Sequence, residues 1–136
     1  KAAGLYMICT LSKHEAEKNG YSDALMLDYK GRVSESTGSN IFFVMNGEIH
    51  TPIPDCFLNG ITRKTVIDLA KSQNINVVER EIYPDEIKNA DEIFLTGSAV
   101  EVTPVGKIDD QTFNVGDITK SISELYMKTV DPNYAD

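Results

Sequence analysis

Apolar positions along this chain change their spacing several times, and each change marks a predicted element. Over residues 3–19, Leu5, Ile8, Cys9 and Leu11 or Ser12 recur at three- and four-residue intervals, charges gather toward the end, and Gly20 follows. That spacing predicts a helix with a glycine stop. "DALMLD" (23–28) and "GRVSE" (31–35) read as two strands joined at "YKG", where Gly31 supplies turn freedom. "NIFFVMNGEIHTP" (40–52) is the clearest hairpin, because Asn46-Gly47 is a strong type I′ turn signal between two apolar segments. Pro52 and Pro54 are expected to keep "PIPDCFLNG" (52–60) irregular.

Helical spacing returns in "ITRKTVIDLAKSQ" (61–73) through Ile61, Val66, Ile67, Leu69 and Ala70. "INVVERE" (75–81) reads as a strand, and Pro84 opens a short helical "PDEIKNA" (84–90). "DEIFLT" (91–96) and "VEVTPV" (100–105) are strands divided by "GSA", and an amphipathic helix starts near Asp117 with Ile118, Ile122, Leu125 and Tyr126. No repeat, low-complexity tract or linker interrupts the series, so residues 1–136 are read as one domain. Hairpins mixed with helices at irregular intervals predict a mixed-sheet α/β (α+β) architecture, a pseudo-barrel with flanking helices, rather than a doubly wound parallel sheet.

Composition narrows the possible partners. Of 136 residues, 41% are hydrophobic and 25% charged, as in an ordinary globular domain. The formal net charge of −8 argues against nucleic acid or an anionic membrane as a partner. No apolar run approaches the roughly 20 residues that span a bilayer. Cys9 and Cys56 lie far apart, outside any CxxC pattern, and only His14 and His50 accompany them. A metal site is therefore not expected; two reduced, mostly packed thiols in a cytoplasmic protein are. Lys1 opens the chain without an initiator methionine, which reads as a piece of something longer.

Three segments have residue types suited to binding chemistry. In "LNGITRKTVIDLA", Gly60 lets the backbone turn, the first helical amides at Ile61 and Thr62 point outward, and Thr62 and Arg63 add a hydroxyl and a charge. An anion or phosphate suits that end, although an ordinary capped helix start has the same pattern. "FLTGSAVEVTPV" offers backbone amides and the Ser98 hydroxyl in a turn, equally consistent with a plain strand connection. Glu35 stands in the polar run "GRVSESTGSN", where a charge is solvated unless it is buried against a cationic or proton-donating partner. Lys1 and Tyr6 add an amine able to form an imine with an aldehyde and a phenol able to bond a phenolate. Their spacing does not put them on one helical face.

In order and spacing, "K..GLY", "GYSDALMLDYKGRVSESTGSNIFFVMNGEIHTP", "LNGITRKTVIDLA" and "ADEIFLTGSAVEVTPVGKID" resemble the fold-type IV pyridoxal-phosphate enzymes. The branched-chain amino acid aminotransferases are the nearest of these. The resemblance implies the large C-terminal domain of that fold and pyridoxal 5'-phosphate as cofactor. It implies transfer of an amino group from leucine, isoleucine or valine to 2-oxoglutarate, with small amino acids and 2-oxo acids as partners. It also implies a homodimer or higher homo-oligomer in a full-length parent. By the same resemblance Lys1 aligns with the lysine that carries the cofactor and moves the substrate's α-proton, and Tyr6 with the tyrosine that bonds its phenolic oxygen. Glu35 aligns with the carboxylate facing the pyridine nitrogen, and Asn40 with a neighbour shaping the same wall. Ile61 and Thr62 match phosphate-binding amides, Ser98 a phosphate-contacting hydroxyl, and Gly97, Ser98 and Ala99 the turn used for the substrate carboxylate.

Two departures accompany the resemblance. Ser98 stands where the family usually has threonine in its "GTA" turn, which keeps the hydroxyl. The family's smaller N-terminal domain, which supplies a phosphate-binding arginine and much of the side-chain pocket, has no counterpart in these 136 residues. D-amino-acid or amine transaminases and aminodeoxychorismate lyase share much of the pattern and are the alternatives, as is a fragment inactive by itself.

Overall fold

The computed structural model describes residues 3–134, with side chains from residue 7 onward. Its elements run α1 (Ala3–Lys18), β1 (Leu25–Leu27), β2 (Val33–Ser36), β3 (Asn40–Met45), β4 (Glu48–Pro52), α2 (Ile61–Ser72), β5 (Val77–Arg80), a 3-10 helix (Pro84–Asn89), β6 (Glu92–Gly97), β7 (Glu101–Pro104), β8 (Lys107–Ile108), β9 (Gln111–Thr112) and α3 (Asp117–Val130). Five strands form one sheet in the order β5-β4-β3-β6-β7. Only β4 and β5 pair in parallel, joined through α2, so the sheet is mixed. β1 and β2 form a separate antiparallel ribbon, and β8 and β9 a small hairpin.

Strand β3 lies at the centre and is buried along its whole length. Its two faces feed two cores, which is why "NIFFVM" is nearly all apolar rather than alternating. On one face Phe42 and Val44 join Ile49, Phe94 and Val102 under Val66, Ile67 and Ala70 of α2 and Ile122 and Tyr126 of α3. Phe42 and Phe94 are cross-strand partners with stacked rings, centroids 4.9 Å apart. On the other face Ile41, Phe43, Met45 and Ile93 meet Val33, Ile82 and Ile87. The ribbon and the 3-10 helix therefore cover the face that the long helices leave open. A mixed sheet with flanking helices is the architecture the pattern predicts.

Turn chemistry matches as well. Asn46 and Gly47 both have positive φ, 51° and 78°, as a type I′ hairpin requires. Three details differ from the sequence reading. Pro52 does not break the strand but closes β4, opposite Arg80 of β5, at a position where proline's missing donor is tolerated. The β8–β9 hairpin is absent from the predicted elements, because two-residue strands leave no alternation to detect. Cys56 is exposed rather than packed, Cys9 is half-buried, and both thiols are free. Among the described residues no helix is long and apolar enough to cross a membrane, and no cluster of His, Cys, Asp or Glu has metal-binding geometry.

Candidate functional site

The predicted site segments meet at one end of the large sheet. Residues 36–39 form a tight turn in which the Ser36 amide donates to the Ser39 carbonyl at 2.8 Å, linking β2 to the start of β3. Glu35 immediately precedes this turn, pairs with Met26 in the ribbon, and is only 9% exposed. Asn40 follows the turn as the first residue of β3.

Asn40 ties three segments together. Its Nδ2 donates to the Leu58 carbonyl at 2.9 Å, and its Oδ1 accepts from the Gly60 amide at 3.3 Å. Across the sheet it is the register partner of Thr96, one residue before the Gly97-Ser98-Ala99 segment. A Cβ built on Gly60 would lie 2.7 Å from Asn40 Oδ1. Gly60 itself has an ordinary extended φ of −63°. Close approach to Asn40, not a special turn geometry, therefore demands glycine here, which corrects the reason inferred from sequence. Gly97 closes on the same turn, since a Cβ there would be 3.1 Å from Ser39 Oγ.

Beyond Gly60, α2 begins with Ile61 and Thr62. No side chain caps this helix end and its first turn has no acidic residue. Its first amides and its positive dipole end are thus left for an anion. Ile61 is 83% exposed, whereas Thr62 is buried; Ser98 and Ala99 are exposed in the turn that follows β6. Glu35, Asn40, Ile61, Thr62, Gly97, Ser98 and Ala99 therefore share one region of the fold. Lys1 lies outside the described residues, as does the side chain of Tyr6.

Arg63 departs from its expected part. Rather than offering its charge to an anion at the helix start, it is 1% exposed and turned into the protein. Its guanidinium donates to Glu79 Oε2 at 2.8 Å, the Pro52 carbonyl at 3.0 Å and Asn59 Oδ1 at 3.0 Å. Those bonds fasten α2 to β4 and β5, and its Nε has no partner among the described residues. The helical pattern does carry a signal for this: residues 63, 66, 67 and 70 form one stripe, the stripe that faces the sheet.

Two hydroxyls beside the predicted residues are buried without a partner among the described residues, Ser36 Oγ and Thr96 Oγ1. Neither belongs to the residues that the sequence singles out. For Thr96 the available signal is alternation, which puts it on the inward face with Phe94.

A second polar cluster surrounds Arg32, which is buried and pairs with Asp28, Glu81 (2.7 Å) and Asp55 (3.1 Å). Hydrogen bonds to Asp28 and Glu81 push the Arg32 guanidinium further above its ordinary range against the opposing effect of burial. Burial would raise the Asp28 and Asp55 carboxyls, but hydrogen bonds, chiefly from Arg32, bring both below their ordinary values. The neighbouring Cys56 thiol, although exposed, is pushed up by partial desolvation and by Asp55, which makes it a poor nucleophile.

The family model for amino-transferase class IV matches residues 1–108. The probable branched-chain-amino-acid aminotransferase of Aquifex aeolicus (strain VF5) is 44% identical over 135 residues, covering 96% of this chain and 43% of that relative. The branched-chain aminotransferase of Thermoproteus uzoniensis, solved with norvaline, superposes with a TM-score of 0.91 at 41% identity, over 94% of this chain and 43% of that one. An aminotransferase from Brucella abortus, solved bound to the co-factor PLP (pyridoxal phosphate), also gives a TM-score of 0.91, at 38% identity, over 95% of this chain and 46% of that one. The chain thus spans less than half the length of these relatives.

Proposed function

This chain belongs to the amino-transferase class IV family, and from that premise we propose that it is the cofactor-holding part of a branched-chain amino acid aminotransferase. The observation that carries this reading is the junction at Asn40, which gathers a buried carboxylate, an uncapped helix start and a glycine turn in one region. Those groups suit pyridoxal 5'-phosphate: the α2 amides would donate to its phosphate, and the Glu35 carboxylate would accept from its protonated ring nitrogen. When bound, that cofactor supplies an aldehyde for the amino group and a ring that withdraws electron density from the substrate's α-carbon.

The chain's own residues divide the remaining work. Lys1 Nζ carries the cofactor and moves the α-proton of the substrate, and the Tyr6 hydroxyl bonds the phenolic oxygen. Glu35 holds a proton on the ring nitrogen, a role suited to a buried carboxylate that must face a positive or proton-donating group. Asn40 fixes the wall beside the ring. The Ile61 and Thr62 amides and the Ser98 hydroxyl hold the phosphate, which keeps the ring in register as the proton moves. The Gly97-Ser98-Ala99 segment presents backbone amides to the substrate carboxylate.

On this reading residues 1–136 are a single C-terminal cofactor domain. The active protein is a cytoplasmic homodimer or higher homo-oligomer whose substrates are leucine, isoleucine, valine and 2-oxoglutarate. The free thiols Cys9 and Cys56 fit a reducing compartment.

The test is amino transfer by this chain, alone and joined to the N-terminal portion of the Aquifex aeolicus relative. Glutamate formed from leucine and 2-oxoglutarate is the expected product. Pyruvate from aminodeoxychorismate, with no glutamate from leucine, would assign lyase chemistry instead.

A further inference from the structure

We propose that Thr96 is a further anion-binding residue of this site, its hydroxyl donating toward the phosphate held at the start of α2. The inference rests on the cofactor reading above and adds a residue to it. Thr96 and Asn40 are register partners in the antiparallel pair β3–β6. Partners so placed project to the same sheet face with Cβ atoms about 5 Å apart. The Asn40 side chain reaches Leu58 and Gly60, at the entry to α2. Thr96 therefore stands on the face, and at the end of the sheet, where α2 begins.

Two independent features converge there. The helix start has neither a side-chain cap nor an acid in its first turn. Thr96 is 1% exposed, and its Oγ1 has no hydrogen-bond partner among the described residues. A buried hydroxyl left unpaired is disfavoured, whereas valine would fill the same volume among Phe42, Phe94 and Val102 without that cost. An anion at the α2 amides gives the hydroxyl an acceptor, and the hydroxyl gives the anion a neutral donor in a protein of net charge −8. Thr96 serves from the buried side of the site, opposite in character to the exposed Ser98.

The experiment compares pyridoxal 5'-phosphate with pyridoxal, which lacks the phosphate, as probes in absorbance titrations of the wild-type chain, Thr96→Val and Thr96→Ser. Far-UV circular dichroism and thermal melts establish that each variant is folded. Thr96→Val is expected to weaken the phosphorylated probe about tenfold, as loss of a hydrogen bond to a charged group does, and pyridoxal less than about twofold. Thr96→Ser should restore near wild-type affinity. An unchanged preference for the phosphorylated probe in folded Thr96→Val overturns the assignment, as does an equal loss for both probes. Thr96→Ala serves if Thr96→Val does not fold, and failure of both to fold makes the hydroxyl structural and overturns it too. A wild-type chain that shows no preference for the phosphorylated probe even when joined to the N-terminal portion of the Aquifex aeolicus relative fails at an earlier step, since it contradicts the cofactor reading itself.

Discussion

Asn40 uses both ends of its amide on the backbone that leads into α2, so a single side chain sets the distance between the sheet and the helix start. Asn40→Leu is expected to lower stability by about 1–2 kcal/mol, because the Leu58 carbonyl loses its donor and the Gly60 amide its acceptor, and urea denaturation measures this. Arg63 makes the corresponding tie lower in the helix. Arg63→Met should cost about 2 kcal/mol; part of the loss is relieved because Glu79 is half-exposed and can return to water. These two residues show where single positions are legible. The motif around Asn40 marks the residue but not its bonding, since nothing local announces a partner 18 or 20 residues away. For Arg63 the charge suggests an outward role, while its helical position already places it inward beside Val66 and Ile67.

The three helices owe their order to different causes. α2 and α3 bury apolar stripes on the sheet, while α1 leaves Met7, Ile8 and Leu11 more than half exposed. Periodicity predicts all three equally well because it reports a helix's apolar face and not what covers it. Ile122→Ala in α3 is therefore expected to cost roughly 2–5 kcal/mol in chemical denaturation, and Leu11→Ala less than about 0.5 kcal/mol. α3 also lacks a side-chain cap of its own at Gly116. Its first amides are met from β6 instead: Glu92 accepts from the Thr119 amide at 2.7 Å, the Thr119 hydroxyl at 2.6 Å and the Ile118 amide at 3.3 Å. Glu92→Ala should destabilise the fold by about 1–3 kcal/mol through that lost cap. A cap delivered from a distant strand has no sequence signature, which is why this helix start is legible only approximately, from its apolar spacing.

For the molecule as a whole, pH acts through groups that the fold holds away from their ordinary protonation. Burial works against the charged forms of Asp28, Asp55 and Glu86, but hydrogen bonds overcome it and leave all three carboxyls below their ordinary values. They bind protons less readily folded than unfolded, so their contribution is complete above the ordinary carboxyl range and is lost as pH falls through the depressed folded values. His50, lowered by burial and then by Arg80, also favours the folded state in its neutral form and loses that contribution as pH drops below about 6.5. The urea midpoint should therefore fall from pH 7 to pH 4, and Arg32→Met should flatten the acid limb by releasing Asp28 and Asp55. Sequence pattern foretells the mixed sheet, because hairpin signals and helical stretches alternate irregularly. It does not foretell strand order, which depends on contacts between segments far apart in the chain. Borohydride reduction of the chain treated with pyridoxal phosphate, followed by peptide mapping, tests the proposed role of Lys1 most directly. A stable phosphopyridoxyl adduct on Lys1 is the expected result; adducts confined to other lysines, with Lys1 unlabelled, would contradict it.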